Sequence, residues 1–391
     1  MKYVRQSPSG LEPELRLTAA NGLVRSSGSY RKIAATHRPS GTMVVAGIGV
    51  EEEAMTDTAI VVGAGAIGGV FGARIARAGR PIVFVDAWTP HLEKIKAEGI
   101  FVDGAQGESR HQVPTYGLDE LDQLPRPVKN VFLAVKSYDT QSVVERLKPL
   151  LSDNGAIVSL QNGINEELIA EIVGSNRTLG AVTRLSAGLI GPGHVRESRA
   201  PTPFSLGELS GEVTERAQRL AELMHPAAPT EVTPNIWGTL WGKLVWNSMM
   251  NPTCGITGLT SGGVWRNPRS RDVLMRICQE SMSVAKALGI QIDADAKMDV
   301  RLLVDPSPEA QVKGEAMIDY YATHSMDARP SMLQDVLRGR PSEIDFLSGY
   351  IAKKGAGIGI ATPINSRMVE LVKEIESGQR KIGEENLEAL T

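Results

Sequence analysis

Four polar residues recur at every fourth position in an otherwise apolar stretch. They are Thr239, Lys243, Asn247 and Asn251 within "IWGTLWGKLVWNSMMNP", residues 236–252. On a helix this spacing stacks them one above another on a single face. From Lys243 to Asn251 the line runs about 12 Å at ~1.5 Å per residue, a length suited to a small-molecule cleft. Trp237, Leu240, Trp241, Leu244, Trp246 and Met249 occupy the remaining sides. A helix apolar nearly all round is expected to be buried in a large protein. A lysine half-buried in such surroundings loses hydration of its ammonium, so its pKa falls toward neutrality. It then becomes a proton donor suited to work near pH 7.

A second group is a glycine turn in "AIVVGAGAIGGVFGARIARAG", residues 59–79. Gly63, Gly65 and Gly68 follow an apolar strand pattern and open a helical one, where a dinucleotide fingerprint requires them. Gly63 permits the tight turn, Gly65 lets a pyrophosphate approach the backbone, and Gly68 lets helix and strand pack closely. The N–H groups from Gly65 through Ala66 and Ile67 to Gly68 then face the phosphates, with the helix dipole behind them. Asp86 ends the next strand pattern, and a carboxylate there suits the ribose hydroxyls of NAD and repels the 2′-phosphate of NADP. His91 and Lys94 lie close enough in sequence to counter that charge. S-adenosylmethionine enzymes share a glycine turn and an acidic strand end, but the third glycine with its bulky helix fits a dinucleotide better.

The elements that must carry these residues alternate from Thr58 onward. Strands are expected at 58–63, 81–86, 129–135 and 155–160, with helices at 66–79, 90–98, 138–151 and 164–173. This is the pattern of a doubly wound parallel sheet. Residues 181–210 read as short strands extending that sheet antiparallel, followed by a helix at 211–224 and a strand at 229–233. Beyond Pro234 the pattern turns helical, at 236–250, 268–288, 308–323, 343–354 and 364–377. Ser261-Gly262-Gly263 and Gly355-Ala356-Gly357 read as turns. The fold class is therefore α/β, an N-terminal Rossmann-type dinucleotide-binding domain (56–233) followed by an all-helical C-terminal domain (234–391). Residues 1–55 are Arg- and Ser-rich with weak apolar periodicity and read as a disordered N-terminal extension. An organelle presequence shares that composition, but Glu12 and Glu14 interrupt it, and Met55 stands directly before the first strand.

Composition narrows the class. The 391 residues suffice for two domains, and a net charge of −3 argues against nucleic-acid or membrane-surface partners that need a broad basic face. With two cysteines and six scattered histidines, neither a disulfide framework nor a metal site is expected. No apolar run is long enough to span a bilayer, so the expectation is a cytoplasmic enzyme acting on a small molecule. A homodimer is compatible with the sequence without being written in it.

These residues, with Lys136 in "FLAVKSYDT" and Asn162 in "SLQNGIN", resemble the ketopantoate reductase (2-dehydropantoate 2-reductase) family over about residues 58–378. The resemblance extends through "LWGKLVWNSMMNPTCGITGLT" and "SMLQDVLRGRPSEIDFLSGYIAKKGAGIGIATPIN", the latter joining Ser331 and Asp335 to Glu343 and Asp345 at the family's spacing. It implies reduction of a 2-keto acid to the (R)-2-hydroxy acid by a nicotinamide hydride, in pantothenate biosynthesis. Lys243 then corresponds to the general acid, and Asn247, Asn251 and Ser331 to substrate-binding residues. Asn162 corresponds to the position where cofactor and substrate meet, and Lys136 to a neighbour of the nicotinamide ribose. Glu343 matches an acidic residue that binds cofactor and organises the closed site. Two departures stand out. Many members carry a basic or small residue where this chain has Asp86, which here favours NADH over NADPH. Some carry a further substrate-binding asparagine where this chain has Ser261. An NAD-dependent D-2-hydroxyacid dehydrogenase acting on branched or aromatic 2-keto acids is the alternative reading, and a non-catalytic cofactor sensor a third.

Overall fold

The computed structural model describes residues 58–295 and 297–390; the extension read at 1–55 lies outside the described residues. The first half alternates strand and helix. It runs through β1 (Ala59–Val62), α1 (Ala66–Arg77), β2 (Ile82–Asp86), α2 (Thr89–Glu98), β3 (Ile100–Gly104), β4 (Ser109–His111) and β5 (Thr115–Gly117). It continues through β6 (Val128–Leu133), α3 (Thr140–Leu147), β7 (Leu151–Ser159), α4 (Glu166–Val173), β8 (Thr178–Val182), β9 (Ser186–Gly191) and β10 (His194–Arg199). β11 (Phe204–Glu208), α5 (Glu215–Met224) and β12 (Thr230–Val232) complete it.

Eight strands form the main sheet in the order β12-β11-β8-β7-β6-β1-β2-β5. From β5 to β8 every pairing is parallel. Strands in such a sheet are buried on both faces and so read as unbroken apolar runs. Ala59 and Val61 accordingly join one core cluster, and Ile60 and Val62 the other. Val62 stands opposite both Val85 and Leu133, Leu133 opposite Ser159, and Ser159 opposite Gly180. The carboxyl ends of β2, β1, β6, β7 and β8 therefore line one edge, and the chain reverses winding beside β1. Ligands of open α/β sheets bind at such a switch point.

The sheet extension expected at 181–210 is corrected. Only β11 extends the main sheet antiparallel, and β8 pairs parallel to β7. β9 and β10 leave it to form a second sheet, ordered β4-β3-β10-β9. β3, β4 and β5 escape a periodicity reading because they are only three to five residues long and partly exposed.

At the turn after β1, Gly63 adopts φ +95°, a region that L side chains rarely enter. A Cβ on Gly68 would stand 1.9 Å from the Gly63 carbonyl oxygen and 3.1 Å from Ala134 Cβ. Gly68→Ala must therefore lift α1 from the sheet. The expected cost is about 3 kcal/mol, in line with overpacking a filled site, seen as a drop of several degrees in Tm. A variant melting with the parent would remove the close-packing role.

The second half is helical: α6 (Ile236–Thr257), α7 (Ser261–Arg266), α8 (Pro268–Ala287), α9 (Pro308–His324), α10 (Ser331–Leu337), α11 (Ser348–Gly357) and α12 (Pro363–Glu376). Asn235 caps α6 by accepting a hydrogen bond from the Gly238 N–H, and Gly258, at φ +76°, ends it. The helix continues past the expected stop at 250, through Pro252. Proline removes one intrahelical hydrogen bond, but the segment is enclosed by the C-terminal core, with Met249, Cys254 and Ile256 fully buried. The supposed turn at Ser261-Gly262-Gly263 is the start of α7, capped by Thr260. Gly355-Ala356-Gly357 forms the last turn of α11, not a connection between elements. The helix expected from 343 begins at Ser348, preceded by a single 3-10 turn at Ile344–Phe346.

Candidate functional site

The glycine turn and Asp86 meet as their spacing predicts. Asp86 Oδ2 accepts the Ala64 N–H at 2.7 Å, and Oδ1 accepts the Trp88 N–H at 2.9 Å. The carboxylate thus ties the turn after β1 to the turn after β2. A Cβ on Gly65 would meet nothing within 4 Å, so the turn is open where a phosphate would approach. His91 is 1% exposed and holds the turn from behind. Its Nδ1 accepts the Gly193 N–H, so Nε2 carries the proton and donates to the Ala64 carbonyl, each at 2.9 Å. Lys94 is paired with Glu98 on the surface. Both His91 and Lys94, the side chains near Asp86 in sequence, are thus engaged elsewhere.

The polar line of α6 crosses the same sheet edge. Lys243 donates from Nζ to the carbonyl of Thr183, directly beyond β8, at 3.0 Å. Asn247 donates from Nδ2 to Asn162 Oδ1, beyond β7, at 3.4 Å. Thr239 sits at the solvent end and donates to Asn235 O. Asn251 is 7% exposed and has no side-chain hydrogen bond among the described residues. Burial depresses the Lys243 pKa to about 8, helped by the Arg184 guanidinium, while Glu166 and Glu343 act against the fall. Lys243 and Arg184 line a cleft of about 470 Å³ shared with Thr239, Asp293 and Asp295. Asp295 holds the Arg184 guanidinium in an ion pair.

A third group joins the two halves of the chain. Glu343 Oε1 accepts both the N–H and the hydroxyl of Ser137, at 2.9 and 2.8 Å. Lys136 donates to Asp335 Oδ2 at 2.6 Å and stands 3.5 Å from Glu343 Oε2. Burial alone would lower the lysine's pKa, but the Glu343 and Asp335 carboxylates outweigh it and raise it. The Ser137 hydroxyl also lies 3.2 Å from the Asn162 carbonyl, so this group touches the Lys243 side of the site through Asn162.

Residues 59–211 match the family model described as Ketopantoate reductase PanE/ApbA, and residues 235–376 match its C-terminal counterpart. The chain belongs to the ketopantoate reductase family. A 2-dehydropantoate 2-reductase of Archaeoglobus fulgidus is 32% identical over 320 residues, spanning 81% of this chain and 97% of that protein. The crystal structure of a PanE/ApbA family ketopantoate reductase from Ralstonia eutropha superimposes with a TM-score of 0.69 at 28% identity. That match covers 82% of this chain and 99% of the other. A ternary structure of D-mandelate dehydrogenase with NADH and anilino(oxo)acetate shares the fold, at TM-score 0.72 and 24% identity over 82% and 99% of the two chains.

In this member of the family, Gly63, Gly65, Ala66, Ile67, Gly68, Asp86, Lys136, Asn162, Lys243, Asn247 and Glu343 gather along one sheet edge and the facing helix. Ser331 and Asn251 are not linked to them by hydrogen bonds. Ser331 opens α10, half-buried, and its neighbour Met332 packs against Gly255, one turn beyond Asn251 on α6. Sequence reasoning missed Ser137, Thr183, Arg184, the bracing role of His91, and Glu166. Ser137 directly follows Lys136 and was legible as a neighbour. Thr183 acts through its backbone carbonyl, which no residue type signals.

Proposed function

We propose that this chain reduces the keto carbon of 2-dehydropantoate to give (R)-pantoate, with Lys243 as the general acid and a nicotinamide dinucleotide as partner. The observation that supports it best is the meeting of the α6 polar line with the loops beyond β7 and β8. The bound cofactor supplies the hydride. The open turn at Gly63–Gly68 and the Asp86 carboxylate fit its pyrophosphate and adenosine ribose, and Lys136 and Glu343 its nicotinamide side. Lys243 is drawn toward the oxygen of the ketone as negative charge grows there and gives that oxygen its proton, which favours the transition state over the ground state. Asn247, Asn251, Asn162 and Ser331 orient the substrate's carboxylate and hydroxyl groups.

NADH is the proposed preference, because Asp86 opposes a 2′-phosphate and both His91 and Lys94 have other partners. Gly65→Ala tests the cofactor placement apart from folding. The added methyl meets open space, so Tm should match the parent while NADH affinity falls at least tenfold in a fluorescence titration. Unchanged affinity would move the pyrophosphate elsewhere.

A second reading, an NAD-dependent D-2-hydroxyacid dehydrogenase, is favoured by Asp86. Initial rates with ketopantoate, 2-ketoisocaproate and phenylglyoxylate, each with NADH and NADPH, separate the two. The highest kcat/KM with ketopantoate supports the first reading; a preference for the others supports the second. No turnover of any of them would overturn both.

A further inference from the structure

Glu166 opens α4 with its side chain 1% exposed, yet its Oε2 has no hydrogen-bond partner. Burying a carboxyl group with an unsatisfied oxygen is costly, and the reduction described above makes no use of it. The surroundings are specific. Glu166 Cγ lies 3.5 Å from the point a Cβ on Gly180 would occupy, and Ile236 Cγ1 and Leu240 Cδ1 of α6 reach 2.8 and 3.0 Å from the same point. Gly180 belongs to β8, three residues before Thr183, whose carbonyl holds the Lys243 ammonium. Leu240, itself buried, neighbours Lys243 on α6, three residues earlier. The carboxyl group is thus packed where β8 and the start of α6 converge on the lysine.

We propose that Glu166 is a positioning residue for proton transfer: its buried negative charge keeps the Lys243 ammonium protonated and sets the pH above which the reduction fails. The proposal rests on Lys243 being the proton donor. Burial pushes the Glu166 carboxyl up to about 7, opposed by the polar groups of the Asn165–Glu166 backbone and Ser159 and by the charge of Lys243. The carboxyl therefore gains its negative charge in the same neutral-to-alkaline range in which burial brings the lysine to lose its proton. The new charge arrives where it is needed. Arg184, from the loop after β8, pushes the lysine the other way, and Glu343 from the C-terminal half assists Glu166. Asp295 offsets Arg184, and Asp293 lines the same cleft. Tyr350 of α11 is held neutral by burial and by the Glu167 and Glu166 carboxylates, so it adds no negative charge of its own beside Glu166.

Glu166→Gln keeps the shape and removes the charge. At pH 6 its kcat should stay within about twofold of the parent, since Glu166 is protonated there. The alkaline limb of kcat should move down by half a unit or more, because burial and Arg184 then act on the lysine with less opposition. Glu166→Asp should bring the limb most of the way back, and KM for NADH should not change. An equal loss at every pH would mark a merely structural role, and an unmoved limb would equally overturn the proposal. A reciprocal measurement does not depend on the glutamine variant folding. The infrared carboxyl band of buried Glu166 should titrate near 7 in the parent and shift to higher pH in Lys243→Ala; a band that does not shift refutes the coupling. If Lys243→Ala turned over normally, the reading of Lys243 as donor would fail. If it were inactive while the Glu166→Gln limb stayed put, this proposal alone would fail.

Discussion

Lys243→Ala should lower kcat for 2-keto acid reduction by about 10³-fold, within the range that a positioned general acid contributes, while NADH binding stays within a few-fold of the parent. The split follows from what the side chain touches. Among the described residues its ammonium hydrogen-bonds the Thr183 carbonyl alone, whereas the glycine turn and Asp86 form a separate hydrogen-bonded unit at the ends of β1 and β2. A group acting on charge that develops in the transition state changes kcat and kcat/KM together and leaves cofactor affinity alone. Small primary amines should restore part of the rate, since the vacated space is half-buried and open to the cleft. The parent's pH profile follows with a definite sign. The protonated lysine is the donor, so kcat is full below its pKa and declines as pH rises through about 8. A Lys243→Ala enzyme within tenfold of the parent's kcat, or a parent whose rate climbs through pH 8, would take the lysine out of the chemistry.

The second large effect concerns cofactor choice. Asp86→Arg should raise the NADPH/NADH ratio of kcat/KM by 10²-fold or more, mostly through loss of NADH. Two changes act together. An arginine offers charge to a 2′-phosphate where the carboxylate repels it. The substitution also strips the acceptor from the Ala64 and Trp88 N–H groups, and leaving the buried Ala64 donor unpaired costs about 1–3 kcal/mol. Absolute activity with NADPH should therefore rise less than the ratio does. Steady-state kinetics with both cofactors decides it. A parent that already works better with NADPH, or a ratio unmoved in the variant, would remove Asp86 from discrimination.

Much of the site was legible because its signals are local. The four-residue spacing of Thr239, Lys243, Asn247 and Asn251 is a property of one helix. The glycine turn is a property of one strand–helix junction, and both survive into the structure with their register intact. The helix stop expected at 250, short of Pro252, misled for a related reason. Local propensity says proline ends a helix, whereas the surrounding core keeps α6 intact to Thr257. The small second sheet was invisible because its strands are brief and half-exposed, and they pair across gaps as long as that between Phe101 and His194.

What the sequence determined alone was the α/β-then-helical order of elements, the family, and the types of residue available for chemistry. Each depends on interactions within a turn or two of chain. The tertiary structure decided which of those residues share a site. Lys136 reaches Asp335 across 199 residues, and Ser137 reaches Glu343 across 206. It also turned Glu166, which reads as an ordinary acidic residue at a helix start, into a carboxyl group buried between β8 and the start of α6. Burial and long-range charge are properties of packed elements, and no spacing along the chain encodes them.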